Sequence, residues 1–264
     1  MDVRDLVTGY YGSEGSLAER VLAALAQHGV DLDRLTPADL YPVDQLHAGG
    51  AAATGHVLEV LGVGEGTALL DVGCGIGGTS RMAALRGAQV TGVDLTPEFV
   101  ESATELTARV GLGDRAGFVV SPGEHLPLED ASLDAAVMVH VGMNVPDKAA
   151  VFSEVRRVLR PGGRFAVYDQ MATGPVDLTY PLPWADDERS SFVETAEDYQ
   201  RHLEAAGLSV EAVEDHTAAT TGGPPPGPVN QGTLLGPTFL ARLGNNVAAT
   251  QAGLLRAVIV TATA

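Results

Sequence analysis

The stretch Leu69-Leu70-Asp71-Val72-Gly73-Cys74-Gly75-Ile76-Gly77-Gly78-Thr79-Ser80-Arg81 constrains this chain more than any other. An apolar run, three alternating glycines and a helix-compatible segment read as buried strand, tight turn and helix start. Gly73, Gly75 and Gly77 allow a sharp turn and a close approach to a ligand with no Cβ in the way. The amides opening the next helix then face that ligand. Such a unit belongs to an α/β sheet that presents its backbone to a nucleotide-like molecule. The letters also fit the dinucleotide fingerprint Gly73-x-Gly75-x-x-Gly78, so the turn alone leaves the ligand open.

The flanking chain repeats the unit. Strands are predicted at Thr67–Val72, Gln89–Asp94, Ala116–Ser121, Leu133–His140 and Arg164–Gln170. Helices are predicted between them, at Gly77–Leu85, Pro97–Val110 and Val145–Leu159. Alternation with short connections implies a doubly wound, mostly parallel sheet. A helix at Thr195–Ala206 and strands at Leu208–Asp215 and Leu255–Thr263 bring the sheet to seven strands. Amphipathic periodicity predicts N-terminal helices at Leu17–His28 and Gln45–Leu61, the second interrupted at Gly49-Gly50, with a short helix and turn over Leu35–Asp44. The expected layout is one domain over 1–264: a helical cap (1–62), a core (63–217), substrate-side insertions (171–194 and 218–254) and a final strand (255–264). Long irregular stretches such as these insertions are more often lids or disordered segments than simple connections.

Charge limits the partners. Asp and Glu number 34 against 16 Lys and Arg, a net charge of −18. Lys148 is the sole lysine. Such a chain repels polyanions, which argues against nucleic acid and for a small-molecule partner. No apolar run reaches membrane-spanning length and the N-terminus lacks a signal-peptide pattern, so no membrane association is expected. The lone cysteine, Cys74, fits a reducing cytoplasm and a space-filling role. No Cys/His cluster has metal-ligand spacing, so no metal is expected, nor any role for His28, His56, His202 and His216. A homo-oligomer is left open.

Asp71 precedes the first glycine by two residues, where a carboxylate repels pyrophosphate and suits a cationic ligand. Asp94 ends strand 2, 21 residues past Gly73, and suits a ribose. The acid-x-Gly-x-Gly-x-Gly pattern resembles motif I of the class I S-adenosylmethionine (SAM) methyltransferases. Ser121-Pro122-Gly123-Glu124-His125, the strand-4 exit His140-Val141-Gly142-Met143-Asn144 and the turn Arg160-Pro161-Gly162-Gly163 follow in that family's order. Pro122 stands where many relatives have Asp. A narrower resemblance, to the sarcosine/dimethylglycine N-methyltransferase-like branch, rests on Asp39–His47, His140–Lys148 and Tyr180–Ala185.

The resemblance implies SAM as methyl donor, held by Asp71, Gly73, Gly75, Gly77, Asp94, Leu95, Gly123, Glu124, His125, Val139 and Tyr11. It implies an acceptor site among Asp44, His47, Met143, Asn144, Tyr180 and Trp184. Trp184 could wall that pocket or face a cation. His140, with His47 second, is the candidate base for an acceptor that must lose a proton. The expected activity is methyl transfer to a small molecule, at nitrogen on the narrower resemblance. The alternatives are O- or C-methylation in secondary metabolism, or a non-methylating cyclase or binding role on the same fold.

Overall fold

The computed structural model describes residues 16–220, 229–230, 232 and 238–264. Seven strands form one sheet in the order β3-β2-β1-β4-β5-β7-β6. They are β1 (Ala68–Val72), β2 (Gln89–Asp94), β3 (Ala116–Val120), β4 (Leu133–Val139), β5 (Leu159–Ala172), β6 (Ser209–Asp215) and β7 (Leu255–Thr263). β1 to β5 run parallel, and β7 is antiparallel to both β5 and β6. Helices α1 (Leu17–Gln27), α2 (Pro37–Asp44) and α3 (Gly50–Val60) precede the sheet. Helices α4 (Gly78–Leu85), α5 (Pro97–Arg109), α6 (Lys148–Val158), α7 (Ala196–Ala205) and α8 (Phe239–Gln251) follow in order.

Period-two alternation in β1 explains the layering. Leu70 and Val72 join the core with Phe152 and Val155 of α6 and Tyr199 and Leu203 of α7. Leu69 points to the other face, with Ala53, Val57 and Leu58 of α3 and Ala83 and Ala84 of α4. A third cluster packs Leu17, Val21, Leu40 and Val43 of the N-terminal helices onto Ile76 of the glycine turn and Phe99 and Leu106 of α5. The cap is thus seated on the turn. Strand order reverses between β1 and β4, which opens a crevice at the carboxyl ends of these strands.

Four predicted elements change. The second N-terminal helix begins only at Gly50, because Gly49 is left-handed (φ 77°) and Gln45–Gly49 forms a connecting loop. The Arg160–Gly163 turn is absorbed into β5 as an irregularity: pairing with β4 passes from Leu159 to Arg164, Gly162 is left-handed (φ 80°), and its N–H donates to Ala264 O. His140 lies outside β4, at φ 54°. The 218–254 insertion contains α8, whose buried face is Phe239, Arg242, Asn246 and Ala249. The other insertion is packed as well. Leu182, Trp184 and Ala185 form a small core with Met143, Ala249 and Leu255.

Candidate functional site

The carboxyl ends of β1, β2, β4 and β5 open into one cavity of about 1070 Å³, roofed by the Tyr41–Ala51 segment, Pro183-Trp184 and α8. The glycine turn forms one half. Gly73 and Cys74 both donate their N–H to Val93 O, at 2.8 and 3.0 Å, which fastens the turn to β2. The three glycines then do different things. A Cβ on Gly73 would sit 2.3 Å from Val141 Cγ2, and one on Gly77 would sit 2.8 Å from Arg81 Nη1 and 3.0 Å from Phe118. Those two glycines therefore allow close packing of protein on protein. Gly75, at φ 53°, has nothing within 4 Å and is the one whose backbone lies open to a ligand.

Two acids frame this half. Asp71 is buried and accepts the Ser80 hydroxyl at 2.6 Å. Burial raises its pKa to about 6, against the Ser80 hydrogen bond, while the Asp94 charge adds to the rise. Asp94 accepts the Gly75 N–H through Oδ2 and the Thr96 N–H through Oδ1, both at 2.9 Å. Burial raises its pKa too, and these N–H groups oppose the rise. Asp94 thus holds the turn, and each oxygen keeps a lone pair for a ligand hydroxyl. Leu95, Gly123, Glu124 and Val139 also line the cavity. His125 does not: the turn closed by His125 N–H to Pro122 O leaves its side chain exposed. Tyr11 lies outside the described residues.

The other half is built around histidines. His140 donates its backbone N–H to Tyr168 O at 2.7 Å, and its ring packs on Tyr168 at 4.9 Å and on His47 at 5.6 Å. Its Nε2 is buried without a hydrogen-bond partner. Burial, with the His47 charge second, holds its pKa well below the usual imidazole range. His47 Nδ1 faces Ala48 O at 2.9 Å, so the proton sits there, and Nε2 lies 2.9 Å from Thr54 Oγ1, whose own proton goes to Gln45 Oε1 at 2.6 Å. Burial lowers the pKa of His47 as well. Both rings are therefore neutral at pH 7.

The strand-4 exit is held from behind. Asp169 Oδ2 accepts the Gly142 N–H at 2.8 Å and the Tyr199 hydroxyl at 2.9 Å. Lys148 Nζ donates to Phe192 O at 2.7 Å and Val145 O at 3.1 Å. Asn144 Nδ2 donates to Trp184 O and Ser190 O, both at 2.9 Å, which joins the exit to the packed insertion. Met143, Asn144 and Trp184 line the cavity, whereas Tyr180 packs beside it in the insertion core. Asp44 also lines the cavity, but its carboxylate is engaged by Arg81 Nη2 at 2.9 Å.

Among the lining residues that sequence reasoning missed, two carry unpartnered polar atoms. Gln170 is buried with Oε1 unpartnered, and Asn246 is buried with Oδ1 unpartnered. Gln170 lies near the carboxyl end of β5, where the general rule for α/β ligand sites could have found it. Asn246 required recognition of α8, whose signal was the helical spacing of Phe239, Arg242, Asn246 and Ala249. Among the described residues, no Lys or Arg lines the cavity.

Residues 70–167 match the family model described as the methyltransferase domain. Residues 70–167 therefore carry the sequence signature of a methyltransferase domain. Sterol 4-C-methyltransferase strm-1 of Caenorhabditis elegans is 38% identical over 122 residues, which are 46% of this chain and 36% of that one. The 27-O-demethylrifamycin SV methyltransferase of Amycolatopsis mediterranei is 34% identical over 171 residues, 61% of each chain. The chain thus spans less than two thirds of the length of these relatives. Geranyl diphosphate C-methyltransferase from Streptomyces coelicolor A3(2) superposes with a TM-score of 0.70 at 19% identity, over 100% of this chain and 98% of that one. The [4+2]-cyclase SpnF gives 0.69 at 21% identity, over 99% and 95%. A candidate sarcosine dimethylglycine methyltransferase from Galdieria sulphuraria gives 0.64 at 17%, over 93% and 97%. These three show the fold.

A methyltransferase domain implies SAM as cofactor. The glycine-turn half fits it. An open Gly75 backbone, two carboxylates and no lining Lys or Arg suit a cationic nucleoside, and a pyrophosphate would lack counter-charges. We expect SAM affinity to fall as pH drops through about 6, because protonation of Asp71 removes a negative charge that favours the bound cation. Proton linkage with a pKa near 6 gives a loss of about fourfold between pH 7.5 and 5.5. Calorimetric titration across that range checks it, and Asp71→Asn should flatten the profile.

Proposed function

We propose that the chain transfers the SAM methyl group to a hydroxyl of a neutral small molecule, with His140 taking the hydroxyl proton. One observation carries this reading: the histidine half of the cavity holds two neutral imidazoles and no lining Lys or Arg among the described residues. Sarcosine and dimethylglycine are carboxylates, and recognition of a buried carboxylate calls for a cationic side chain. The undescribed segments contain one basic residue, Arg4. A nitrogen acceptor of the betaine type is therefore the weaker fit. The relative named for 27-O-demethylrifamycin SV, matched over 171 residues, supports an oxygen acceptor.

When bound, SAM supplies an electrophilic methyl group on a sulfonium. The chain supplies position and proton handling. Asp71 and Asp94 hold the cationic nucleoside end. Trp184, Met143 and Phe239 exclude water from the acceptor side. Gln170 Oε1 and Asn246 Oδ1 have unmet hydrogen-bonding capacity, which acceptor hydroxyls can satisfy once the roof adjusts. No hydrogen bond to a described residue fixes the His140 tautomer, so its unprotonated nitrogen can be the one that meets the hydroxyl. Its depressed pKa keeps that nitrogen free at neutral pH.

The test is an acceptor panel with radiolabelled SAM: polyhydroxylated polyketides and phenols against glycine, sarcosine, dimethylglycine and simple amines. Label should enter the hydroxylated compounds as methyl ether. Turnover of the amino acids alone would overturn the reading and restore nitrogen as the acceptor atom.

A further inference from the structure

We propose that His56, Glu214 and His216 form a binding site for a divalent transition-metal ion of the zinc class, outside the cavity. The sequence hides this site, since helix α3 supplies one ligand and the end of β6 supplies the other two, 158 residues away at Glu214. The fold converges them. His56 Nε2 lies 2.9 and 3.1 Å from the two Glu214 oxygens, and His216 Nδ1 lies 3.1 Å from Oε1. One ligand atom from each of the three residues falls within 4.8 Å of the others. The two imidazoles stack with centroids 5.1 Å apart and planes inclined by 8°.

Two imidazoles direct ring nitrogens at one carboxylate, and a metal ion can take a lone pair from each ring and one from the carboxylate. The donor set, two nitrogens and one oxygen, selects zinc-like ions over magnesium or calcium. An ion 2.0–2.1 Å from each atom draws the three to within roughly 3.5 Å of one another. The side chains of His56 and Glu214 are 37% and 44% exposed and free to make that movement, while water can fill the remaining coordination position. His216 is the anchored member, since its backbone N–H donates to Ala257 O at 2.8 Å. The nearby cation Arg256 is engaged by Asp215 at 3.0 Å, and the net charge of −18 favours cation binding generally.

Position gives the site a purpose. It clips α3, the last helix before the sheet, to the edge strand β6. Behind His216 stands Tyr168, 5.8 Å away and edge-on, and the same Tyr168 ring packs against His140. The Tyr168 hydroxyl donates to Ala48 O at 3.1 Å, in the loop that carries His47. A bound ion would therefore stiffen the back wall of the histidine half without entering it.

The experiment uses the full untagged chain stripped with chelator. Zinc should raise Tm by roughly 5–10 °C at a hundredfold excess over Kd. Cobalt should give visible bands of a low-symmetry, four-coordinate site, and magnesium should do neither. The double variant H56A/H216A should lose both responses. Should it fold poorly without metal, Glu214→Gln, which preserves shape, should weaken zinc at least tenfold. Replacing His28 and His202 should change nothing. The proposal is overturned by an absent zinc response, by an undiminished one in these variants, or by an equal response to magnesium.

Discussion

His140→Asn is expected to reduce methyl transfer by about 10²–10⁴-fold, the usual contribution of a positioned general base, while leaving SAM affinity nearly unchanged. Asparagine is the informative replacement because of the backbone. His140 sits at φ 54°, a left-handed conformation that Asn tolerates several-fold better than most residues. Alanine would confound lost chemistry with local strain at the strand-4 exit. Asn also keeps a polar group where Nε2 is buried, so the variant removes the proton acceptor and little else. Single-turnover kinetics with saturating SAM, beside calorimetric SAM titration, separate the two effects. Retained turnover would remove His140 from proton transfer. Loss of SAM binding would make it a residue of the methyl-donor half. The pH profile adds a second check. Because burial depresses the His140 pKa, the wild-type rate should hold as pH falls through 6.5, the usual imidazole pKa, and drop only at a lower pH, once SAM is saturating.

How much of this site could be read along the chain depended on distance. The glycine turn, Asp71, Asp94 and the β4 exit are local: strand, turn and helix signals lie within a few residues of one another, and the parallel sheet follows from their repetition. The roles of individual glycines were not legible. That Gly73 accommodates Val141 and Gly77 accommodates Arg81 depends on partners from distant segments or the next helical turn. His125 was drawn toward the site by its motif, yet one backbone hydrogen bond turns it outward. Asn246 and the His56/Glu214/His216 group were hidden because nothing in local spacing brings α8 over the cavity or α3 against β6. Those placements are decided by packing. The 218–254 stretch shows the cost most plainly: its proline- and glycine-rich start masked the helical period that begins at Phe239.

Asp44 marks the same limit, and the second large effect follows from it. The Asp39–His47 resemblance assigns this acid to the acceptor, but the structure encloses its carboxylate with the Arg81 guanidinium, both side chains fully buried and 2.9 Å apart. Asp44 Oδ1 accepts from Gln45 Nε2 at 2.8 Å, and Arg81 Nη1 donates to Thr107 Oγ1 at 2.9 Å. The pair therefore ties α2 of the cap to α4, the helix that the glycine turn opens, and on to α5. Removing one partner strands a charge in a dry interior, so Asp44→Ala should cost about 3–5 kcal/mol of stability. Urea unfolding followed by circular dichroism reads this as a lowered midpoint at unchanged slope. If the pair is structural, replacing both residues with apolar ones of similar size, Asp44→Leu with Arg81→Met, should recover much of the loss, since a buried ion pair is often no more stabilising than a well-packed apolar pair. Acceptor binding separates the two roles. A structural Asp44 predicts that the doubly replaced protein, once folded, binds acceptor within a few-fold of wild type. A midpoint unchanged by Asp44→Ala, together with a large rise in KM for the acceptor, would return this acid to the substrate site and leave Arg81 without a structural partner.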